Sequence, residues 1–269
     1  MYRYLLKLGP LTIYSYGAML ALAFIAGTFF AAFRARKQAI DPNRIIDLSL
    51  VIVLTSIIGA RLFFVALNLR FYKNNPLDIF KVWEGGLVFY GGFILAFVSV
   101  VYFLKKNKLA VWKVADIFSA PLALGMAIGR IGCFLNGCCY GKISQRFGVC
   151  FPAKDNPPAF TQQVFEGMIP QSAGCSLPVF PTQLYESGAC LLIFLAILAL
   201  ERKKHFDGFS FWLFVLLYSL FRFIIEGFRY YDANFISGPI TVSQAVSIIL
   251  FVISLIALET GFTIARKGK

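Results

Sequence analysis

The stretch that decides the fold is IIDLSLVIVLTSIIGARLFFVAL, residues 45–67. It is long enough to cross a membrane as an α-helix, because a hydrocarbon core of about 30 Å needs about 20 mainly apolar residues. Asp47 and Arg61 are its charged side chains. A segment of this length and composition predicts a transmembrane helix.

Apolar stretches of spanning length recur along the chain, separated by charged or turn-forming residues. They lie near residues 11–33, 45–67, 86–104, 111–135, 183–200, 209–228 and 240–264. The sequence therefore predicts an all-α integral membrane protein with about seven transmembrane helices, as a single polytopic domain over residues 1–269. Within this domain, the Pro-rich residues 142–181 between helices 4 and 5 are predicted to form an extracytoplasmic arm.

The composition agrees with a lipid environment. Hydrophobic residues make up 59% of the chain and charged residues 14%, whereas about 25% of the residues in soluble domains are charged. The net charge of +13 could indicate a nucleic-acid partner, but the basic residues lie in short clusters between apolar stretches and line no polar face. We therefore predict a lipid bilayer as the partner, and no nucleic acid.

The basic clusters predict an orientation, because Lys and Arg are retained on the cytoplasmic side of a membrane. One side of the predicted helices collects fourteen cations, within residues 34–44, 105–113, 202–204 and 266–269, and the other side collects nine. The richer side is predicted to be cytoplasmic. With an odd number of spans, the N-terminus and the arm then lie outside and the C-terminus lies inside.

The most informative polar segment is GRIGCFLNGCCYG, residues 129–141, at the predicted outer end of the fourth span. Arg130 is costly to place there unless an anion or a carboxylate meets it. The glycines allow close approach to a neighbouring helix or to a ligand. Helix packing with a structural ion pair is the alternative interpretation, and the segment alone does not decide between them.

A second charged segment, FRFIIEGFR at residues 221–229, lies in the outward half of the sixth span. Arg222 and Glu226 are four residues apart and Arg229 follows three later, so one helical face would present all three. Arg222 and Glu226 could neutralise each other, but Arg130 adds more positive charge than Glu226 can balance. Two guanidiniums at the outer leaflet would form a phosphate clamp, because each offers planar bidentate donors.

Polar residues also gather at the predicted outer ends of other spans. They are PTQLYE at residues 181–186, WEGG at 83–86, YGG at 90–92, and Tyr218 one turn before Arg222. Each group alone would pass as an interfacial anchor or a helix cap. Together they predict a polar cavity that opens on the outer leaflet.

The cysteines on the predicted outer side would face an oxidising compartment. A disulfide could join Cys150 to Cys175, or either of them to the vicinal pair Cys138 and Cys139, and sequence does not fix the pairing. Cys133, Cys138 and Cys139 could form a bonded structural unit or remain free thiols, and we favour a structural role because no dedicated base is nearby. Neither a histidine nor a second paired-cysteine motif supports zinc, so neither a metal nor a cofactor is predicted.

These segments resemble the prolipoprotein diacylglyceryl transferase family over most of the chain and in the same order. The matching residues are Tyr16-Gly17, Gly59-Ala60-Arg61, residues 83–86, Asp116 with Pro121, residues 129–141, residues 183–186, and Arg222 through Glu226 to Arg229. The resemblance implies transfer of the diacylglyceryl group of phosphatidylglycerol to the lipobox cysteine of a secreted preprotein. A thioether would form and glycerol phosphate would leave. It also implies a bacterial cytoplasmic (inner) membrane location, and we predict a monomer.

The resemblance and the charge pattern together imply the site residues. The catalytic candidates are Arg130, Arg222, Tyr90, Glu226 and Tyr218. The substrate-binding candidates are Tyr16, Arg61, Asn136, Gly141, Gln183, Tyr185, Glu186 and Arg229. The arginines would neutralise the charge that develops on the phosphate leaving group.

The chain departs from the family pattern where a thiol would have to be activated. Cys133 stands in place of an asparagine and Cys138 in place of a glutamate, while Tyr90 and Phe180 replace two histidines. The one histidine, His205, is predicted to lie in a cytoplasmic loop and cannot replace them.

These departures leave three interpretations open. The positive field, with help from Tyr90 or Glu226, could promote loss of the thiol proton. The chain could instead be a diverged paralogue that modifies another acceptor. A non-catalytic phospholipid-binding or transport protein is the third interpretation, but a transporter would need polar residues towards both membrane faces, and the cytoplasmic halves of the spans are almost wholly apolar.

Overall fold

The computed structural model describes residues 3–8, 11–74, 76–81, 85–203, 206–230 and 240–267. Its helices are α1 (Ser15–Lys37), α2 (Pro42–Leu67), α3 (Leu69–Asn74), α4 (Phe89–Lys106), α5 (Val111–Asn136), α6 (Pro158–Phe165), α7 (Thr182–Leu200), α8 (Phe209–Glu226) and α9 (Val242–Lys267). Within the described residues, the seven helices other than the short α3 and α6 are long and apolar enough to cross a membrane. The predicted all-α membrane architecture is confirmed.

The first predicted span begins too early. Two short strands, β1 (Tyr4–Leu8) and β2 (Leu11–Tyr14), pair antiparallel, and α1 follows only from Ser15. The hairpin is closed by the Ser15 amide, which donates to the Arg3 carbonyl at 3.0 Å. Assigning residues 11–14 to a helix is therefore wrong. The β-branched and aromatic side chains of this stretch favour a strand, although its hydropathy resembles that of a span.

The chain divides into two compact units, which are described separately. The unit Thr28–Val114 contains the second half of α1, the helices α2 to α4 and the first turn of α5. Here α2 and α4 pack together, and the Val88 amide donates to the Ala60 carbonyl at 3.0 Å. Phe93 and Phe97 on α4 stack on each other and are exposed, as expected where helices face lipid rather than water.

Arg61 is one of the buried polar residues of this unit. Its guanidinium donates to four main-chain carbonyl oxygens, those of Ile79 (2.8 Å), Gly85 (2.7 Å), Gly86 (3.2 Å) and Asp78 (2.5 Å). The side chain thereby fastens the segment before α4 to the interior of α2. Trp83 and Glu84, which the sequence singled out within this segment, lie outside the described residues.

The second unit consists of Met1–Gly27 and Ala115–Lys269. It contains the arm over residues 142–181, in which Phe151, Ala159 and Val179 form a small buried core. A disulfide joins Cys150 to Cys175 within the arm. Arg3 donates to the carbonyls of Asp155 (2.7 Å) and Asn156 (2.9 Å), so the N-terminal hairpin is fastened to the arm.

Asp116 on α5 fixes the start of α8. Its carboxylate is fully buried and accepts from the amides of Gly208 at 2.8 Å and Phe211 at 3.0 Å. The first amides of a helix lack partners within the helix, and Gly208 at the N-cap has no side chain to supply one. Asp116 therefore caps α8 from a neighbouring helix. This contact joins the two helices that carry Arg130 and Arg222.

Candidate active site

Glu186 on α7 joins arginines from two other helices. Its Oε2 contacts Nε of Arg130 on α5, and its Oε1 lies 2.5 Å from Nη1 of Arg222 on α8. The Glu186 side chain is 8% exposed, so both ion pairs are largely shielded from solvent. The sequence marked Glu186 as a substrate-binding candidate but did not predict this bridging position. A signal was present, because Glu186 is the one acidic residue within residues 183–200.

Arg222 has further partners on α8 and α9. Its Nη2 lies 2.9 Å from Oε2 of Glu226, and Nε and Nη2 each lie 3.2 Å from Oγ of Ser243. The Thr241 hydroxyl donates to Oε1 of Glu226 at 3.0 Å. Thr241 and Ser243 were not identified from the sequence, because their spacing along the chain relates neither of them to α8.

Arg229 reaches the same cluster from outside α8. The prediction that Arg222, Glu226 and Arg229 share one helical face is wrong, because α8 ends at Glu226. Arg229 instead forms an isolated bridge with Gly141. From there, its Nη1 lies 3.9 Å from Oε1 of Glu186.

The arginine–glutamate cluster is therefore Arg130, Arg222, Arg229, Glu186 and Glu226. Three guanidiniums and two carboxylates give it one excess positive formal charge. Charged groups interact more strongly here than in water, because the surrounding protein and lipid have a low dielectric constant. The cluster can accept an anion, since guanidinium donors that now serve Glu186 match the oxygen geometry of a phosphate equally well.

Gly141 positions Arg229 by close main-chain packing. Its amide donates to the Phe180 carbonyl at 2.9 Å, and the next amide, that of Lys142, donates to the Phe228 carbonyl at 2.9 Å. A Cβ at Gly141 would lie 2.5 Å from that Phe228 oxygen and 2.7 Å from the Phe180 Cβ. A larger residue would therefore displace the strand-like segment that carries Arg229. The structure gives Gly141 a packing position beside the cluster.

Cys133, Cys138 and Cys139 lie together where α5 ends. Gly137 has φ +75°; its amide donates to the Phe134 carbonyl and the Cys138 amide donates to the Cys133 carbonyl, both at 3.1 Å. These bonds form a Schellman motif, which turns the chain back over the last helical turn. Cys139 is also left-handed, with φ +60°. The sulfur atoms of Cys133, Cys138 and Cys139 consequently lie within 4.8 Å of one another, and all three are free thiols.

The first turn of α7 holds this cysteine cluster. The Thr182 hydroxyl donates to the Cys139 carbonyl at 2.8 Å, and Nε2 of the Gln183 side chain donates to the Cys138 carbonyl at 2.7 Å. Hydrogen bonds from the thiols of Cys133 and Cys138, followed by the charges of Arg229 and Arg130, lower the pKa of the Cys139 thiol. The same helix thus supports the cysteine cluster through its first turn and the arginine–glutamate cluster through Glu186.

The remaining candidates of this unit lie on α1, α5, α7 and α8. Tyr16 begins the α1 contact with α5, where a Cβ at Gly132 would lie 3.5 Å from the Tyr16 Cα. Tyr218 stacks on Phe214, one turn before Arg222. Asn136 ends α5 beside the cysteines. Tyr185 is 41% exposed.

Arg61 and Tyr90 belong to the unit Thr28–Val114. The donors of Arg61 serve main-chain carbonyls, as described above. Tyr90 lies in the first turn of α4 and is 70% exposed. Its catalytic role remains a prediction from the sequence.

Comparison with known proteins relates this geometry to a family. The sequence model described as prolipoprotein diacylglyceryl transferase matches residues 3–260. A phosphatidylglycerol–prolipoprotein diacylglyceryl transferase from Geobacter sulfurreducens is 32% identical over 93% of this chain and 91% of its own length. The protein of that name from Listeria innocua is 34% identical over 98% of this chain and 89% of its own length. This chain belongs to the prolipoprotein diacylglyceryl transferase family.

Proposed function

We propose that this chain transfers the diacylglyceryl group of phosphatidylglycerol to the thiol of a lipobox cysteine in a prolipoprotein. The product is a thioether, and glycerol phosphate leaves. The observation that carries the proposal is the bridge that Glu186 forms between Arg130 and Arg222. Membership of the transferase family supports the reaction type, and the excess positive charge of the cluster supports a phospholipid donor.

In this mechanism, the phosphodiester of the donor lipid binds to Arg130 and Arg222 and takes guanidinium donors that Glu186 occupies without substrate. The acceptor sulfur attacks the glyceryl carbon, and the bond from that carbon to the phosphate oxygen breaks. Negative charge then grows on the leaving phosphate. Positioned guanidiniums stabilise this charge more in the transition state than in the bound lipid, and this difference accelerates the reaction.

The surrounding residues keep the two arginines in place. Glu226 and Ser243 hold the Arg222 guanidinium from two sides, so its planar donors keep one orientation as the lipid enters. Tyr218 lies on α8 one turn before Arg222. We assign it to donating a hydrogen bond to a phosphate oxygen. We assign the same role to Tyr16 on α1, which lies beside Gly132 in the segment 129–141.

The orientation follows from the distribution of basic residues. Cytoplasmic retention of Lys and Arg places the arm outside and the C-terminus inside, and the protein acts as a monomer in the bacterial inner membrane. A reporter that is active only in the cytoplasm should stay inactive when fused at Asn156 and become active when fused after Lys267. Activity at Asn156 would reverse the orientation and with it the side of the membrane that supplies the acceptor.

The transfer reaction can be tested with the purified protein in liposomes that contain phosphatidylglycerol. A synthetic lipobox peptide should gain the mass of one diacylglyceryl group, and the bond should resist hydroxylamine as a thioether does. The matched control peptide has serine in place of the lipobox cysteine and should gain no mass. Phospholipid binding without transfer to any thiol peptide would favour the non-catalytic lipid-binding alternative. Transfer only to thiols outside a lipobox would favour the paralogue.

A further inference from the structure

The cysteine cluster has the composition of a site for a thiophilic metal ion. Three sulfur atoms, from Cys133, Cys138 and Cys139, lie within 4.8 Å of one another. A tetrahedral zinc ion with bonds of about 2.3 Å to sulfur separates its sulfur ligands by about 3.8 Å. Closing this cluster around zinc thus requires movements of about 1 Å or less, which rotation of cysteine side chains provides.

The main chain presents these ligands together. The Schellman motif at Gly137 brings Cys138 back to Cys133, and the left-handed Cys139 turns its side chain towards the same point. Thr182 and Gln183 hold the two cysteine carbonyls from α7. The cluster therefore depends on a capped helix end and on a second helix, and it is not a chance approach of mobile side chains.

A polar side chain beside the cysteines also lacks one partner. Gln183 is fully buried, and within the described part of the chain its Oε1 has no hydrogen-bond partner while its Nε2 serves Cys138. A water molecule coordinated to a bound ion would donate a hydrogen bond to this oxygen.

Three protein ligands leave one position of a tetrahedral zinc ion open, which is the arrangement of catalytic zinc sites. A thiol that occupies this position is deprotonated by coordination. Coordination would thus supply the thiolate that attack on the glyceryl carbon requires. A zinc-bound acceptor thiolate would lie beside the arginines that bind the donor phosphate, since α7 contacts Cys138 through Gln183 and Arg130 through Glu186, three residues later.

We infer that Cys133, Cys138 and Cys139 bind a zinc ion whose open position binds and activates the acceptor thiol, an inference that rests on the proposed transfer function. The acceptor thiol releases its proton to solvent when it binds zinc. The sulfur electron pair then forms the bond to the glyceryl carbon. The bond from carbon to the phosphate oxygen breaks, and its electron pair leaves with glycerol phosphate. No group is oxidised or reduced.

Metal binding can be measured independently of transfer. The full chain, purified in detergent without chelators, should bind one equivalent of zinc, and cobalt substitution should give the intense near-ultraviolet absorption of cobalt–thiolate bonds. Cys133→Ser, Cys138→Ser and Cys139→Ser should each weaken zinc binding by at least about tenfold, since even outer-shell changes have effects of that size. The matched control is Cys190→Ser, a buried free thiol of α7 outside the cluster, which should bind zinc as the parent does.

A parent protein that gives no cobalt–thiolate absorption would overturn the site. Zinc binding that survives unchanged in all three folded serine variants would overturn it equally. The spectrum of the parent decides the first outcome even if a serine variant fails to fold.

The activation step has its own readout. A lipobox peptide added to the cobalt-substituted protein should increase the cobalt–thiolate absorption, because it adds a fourth sulfur ligand, and the serine peptide should leave it unchanged. Removing zinc with a chelator should abolish transfer, and zinc should restore it. Transfer that persists at the parent rate without zinc would overturn the activation step and leave the proposed function standing. Absence of transfer by the zinc-loaded parent would instead refute the proposed function and the activation step, while the cobalt spectrum would still decide the site.

Discussion

Arg61 is buried and Arg222 is partly buried, both in membrane-spanning helices, and their partners differ in kind. Arg61 donates to four main-chain carbonyl oxygens. Arg222 is held by Glu186, Glu226 and the Ser243 hydroxyl. Carbonyl oxygens are fixed by the backbone and carry no formal charge, whereas a carboxylate competes directly with any other anion that enters.

This difference separates a structural arginine from one that can bind substrate. Placing a guanidinium within a membrane is costly, and the chain balances that cost in two ways. At Arg61, fixed carbonyl dipoles stabilise the guanidinium and offer an incoming anion no carboxylate to replace. At Arg130 and Arg222, shared carboxylates stabilise the guanidiniums, and the phosphate of the proposed donor lipid can exchange with them. Substitutions that change the two sites in the same way should therefore have different consequences.

The largest expected effect is that of Arg222→Lys. Lysine keeps the charge but replaces two parallel donors with a compact ammonium on a flexible stem. Loss of one positioned transition-state donor typically lowers the rate by about 10²- to 10³-fold, or about 3 to 4 kcal/mol. Transfer to the lipobox peptide should fall by that factor while expression stays near normal, because Lys and Arg are similarly costly at this depth.

The matched control for Arg222→Lys is Arg146→Lys, an exposed arginine of the arm over the Phe147 ring. This variant should transfer at the parent rate. If Arg222→Lys also transferred at close to the parent rate, phosphate recognition would not depend on guanidinium geometry. Arg222 would then be a structural arginine, as we expect Arg61 to be.

Glu186→Gln should have the next largest effect, this time on stability. The change leaves Arg130 and Arg222 without their shared carboxylate in a mostly buried site. Breaking a fully buried ion pair costs about 3 to 5 kcal/mol, and because Arg130 is 21% exposed we expect about 2 to 3 kcal/mol. The thermal unfolding midpoint in detergent should fall accordingly. Added glycerol phosphate should raise it more in this variant than in the parent, since an anion can replace the lost carboxylate.

Glu259→Gln is the control for that experiment, because Glu259 is an exposed carboxylate on α9. Its unfolding midpoint should match that of the parent with and without glycerol phosphate. An unfolding midpoint of Glu186→Gln that does not respond to glycerol phosphate would show that the cluster does not exchange its carboxylate for an anion.

Much of the architecture is predictable from the sequence, because a chain in lipid must use long apolar helices. Hydropathy located the seven spans, but it could not distinguish the strand at residues 11–14 from a helix, since both are apolar. Helical spacing related Arg222 to Glu226. It failed for Arg229, because the end of α8 and the bridge to Gly141 depend on the arm packing alongside.

The cluster partners were harder to predict, since they depend on which helices pack together. No sequence motif relates the arginines to Glu186, Thr241 or Ser243. Glu186 is also far in the chain from both Arg130 and Arg222. The cysteines were visible as residues, but their grouping follows from left-handed backbone at Gly137 and Cys139. A motif shows which chemical groups are present, whereas the caps and turns decide which of them meet.

Arg61→Lys should have a smaller effect than either cluster variant and should act on stability. An ammonium cannot reach all four carbonyl oxygens in the fork geometry of a guanidinium, and a lost hydrogen bond to a charged donor costs about 1.5 to 3 kcal/mol. We expect about 2 kcal/mol of destabilisation in thermal unfolding. Transfer per folded molecule should fall by less than about tenfold, well below the loss in Arg222→Lys. A 10²-fold loss of transfer in the folded variant would mean that Arg61 contacts substrate.

The smallest expected effect on transfer is that of Asp116→Ala, which tests whether a buried acidic residue on one of the helices that carry the cluster can be purely structural. Asp116 caps α8 through the amides of Gly208 and Phe211, and leaving a buried hydrogen-bonding group without its partner costs about 1 to 3 kcal/mol. The unfolding midpoint should fall, and Asp116→Asn, which keeps one acceptor oxygen, should recover part of the loss. Transfer per folded molecule should stay at the parent value in both variants, because the cap lies at the opposite end of α8 from Arg222. A fall in transfer without a fall in stability would show that the start of α8 controls the arginine–glutamate cluster. Structural charged groups could then not be separated, within this unit, from those that exchange a carboxylate for a substrate anion.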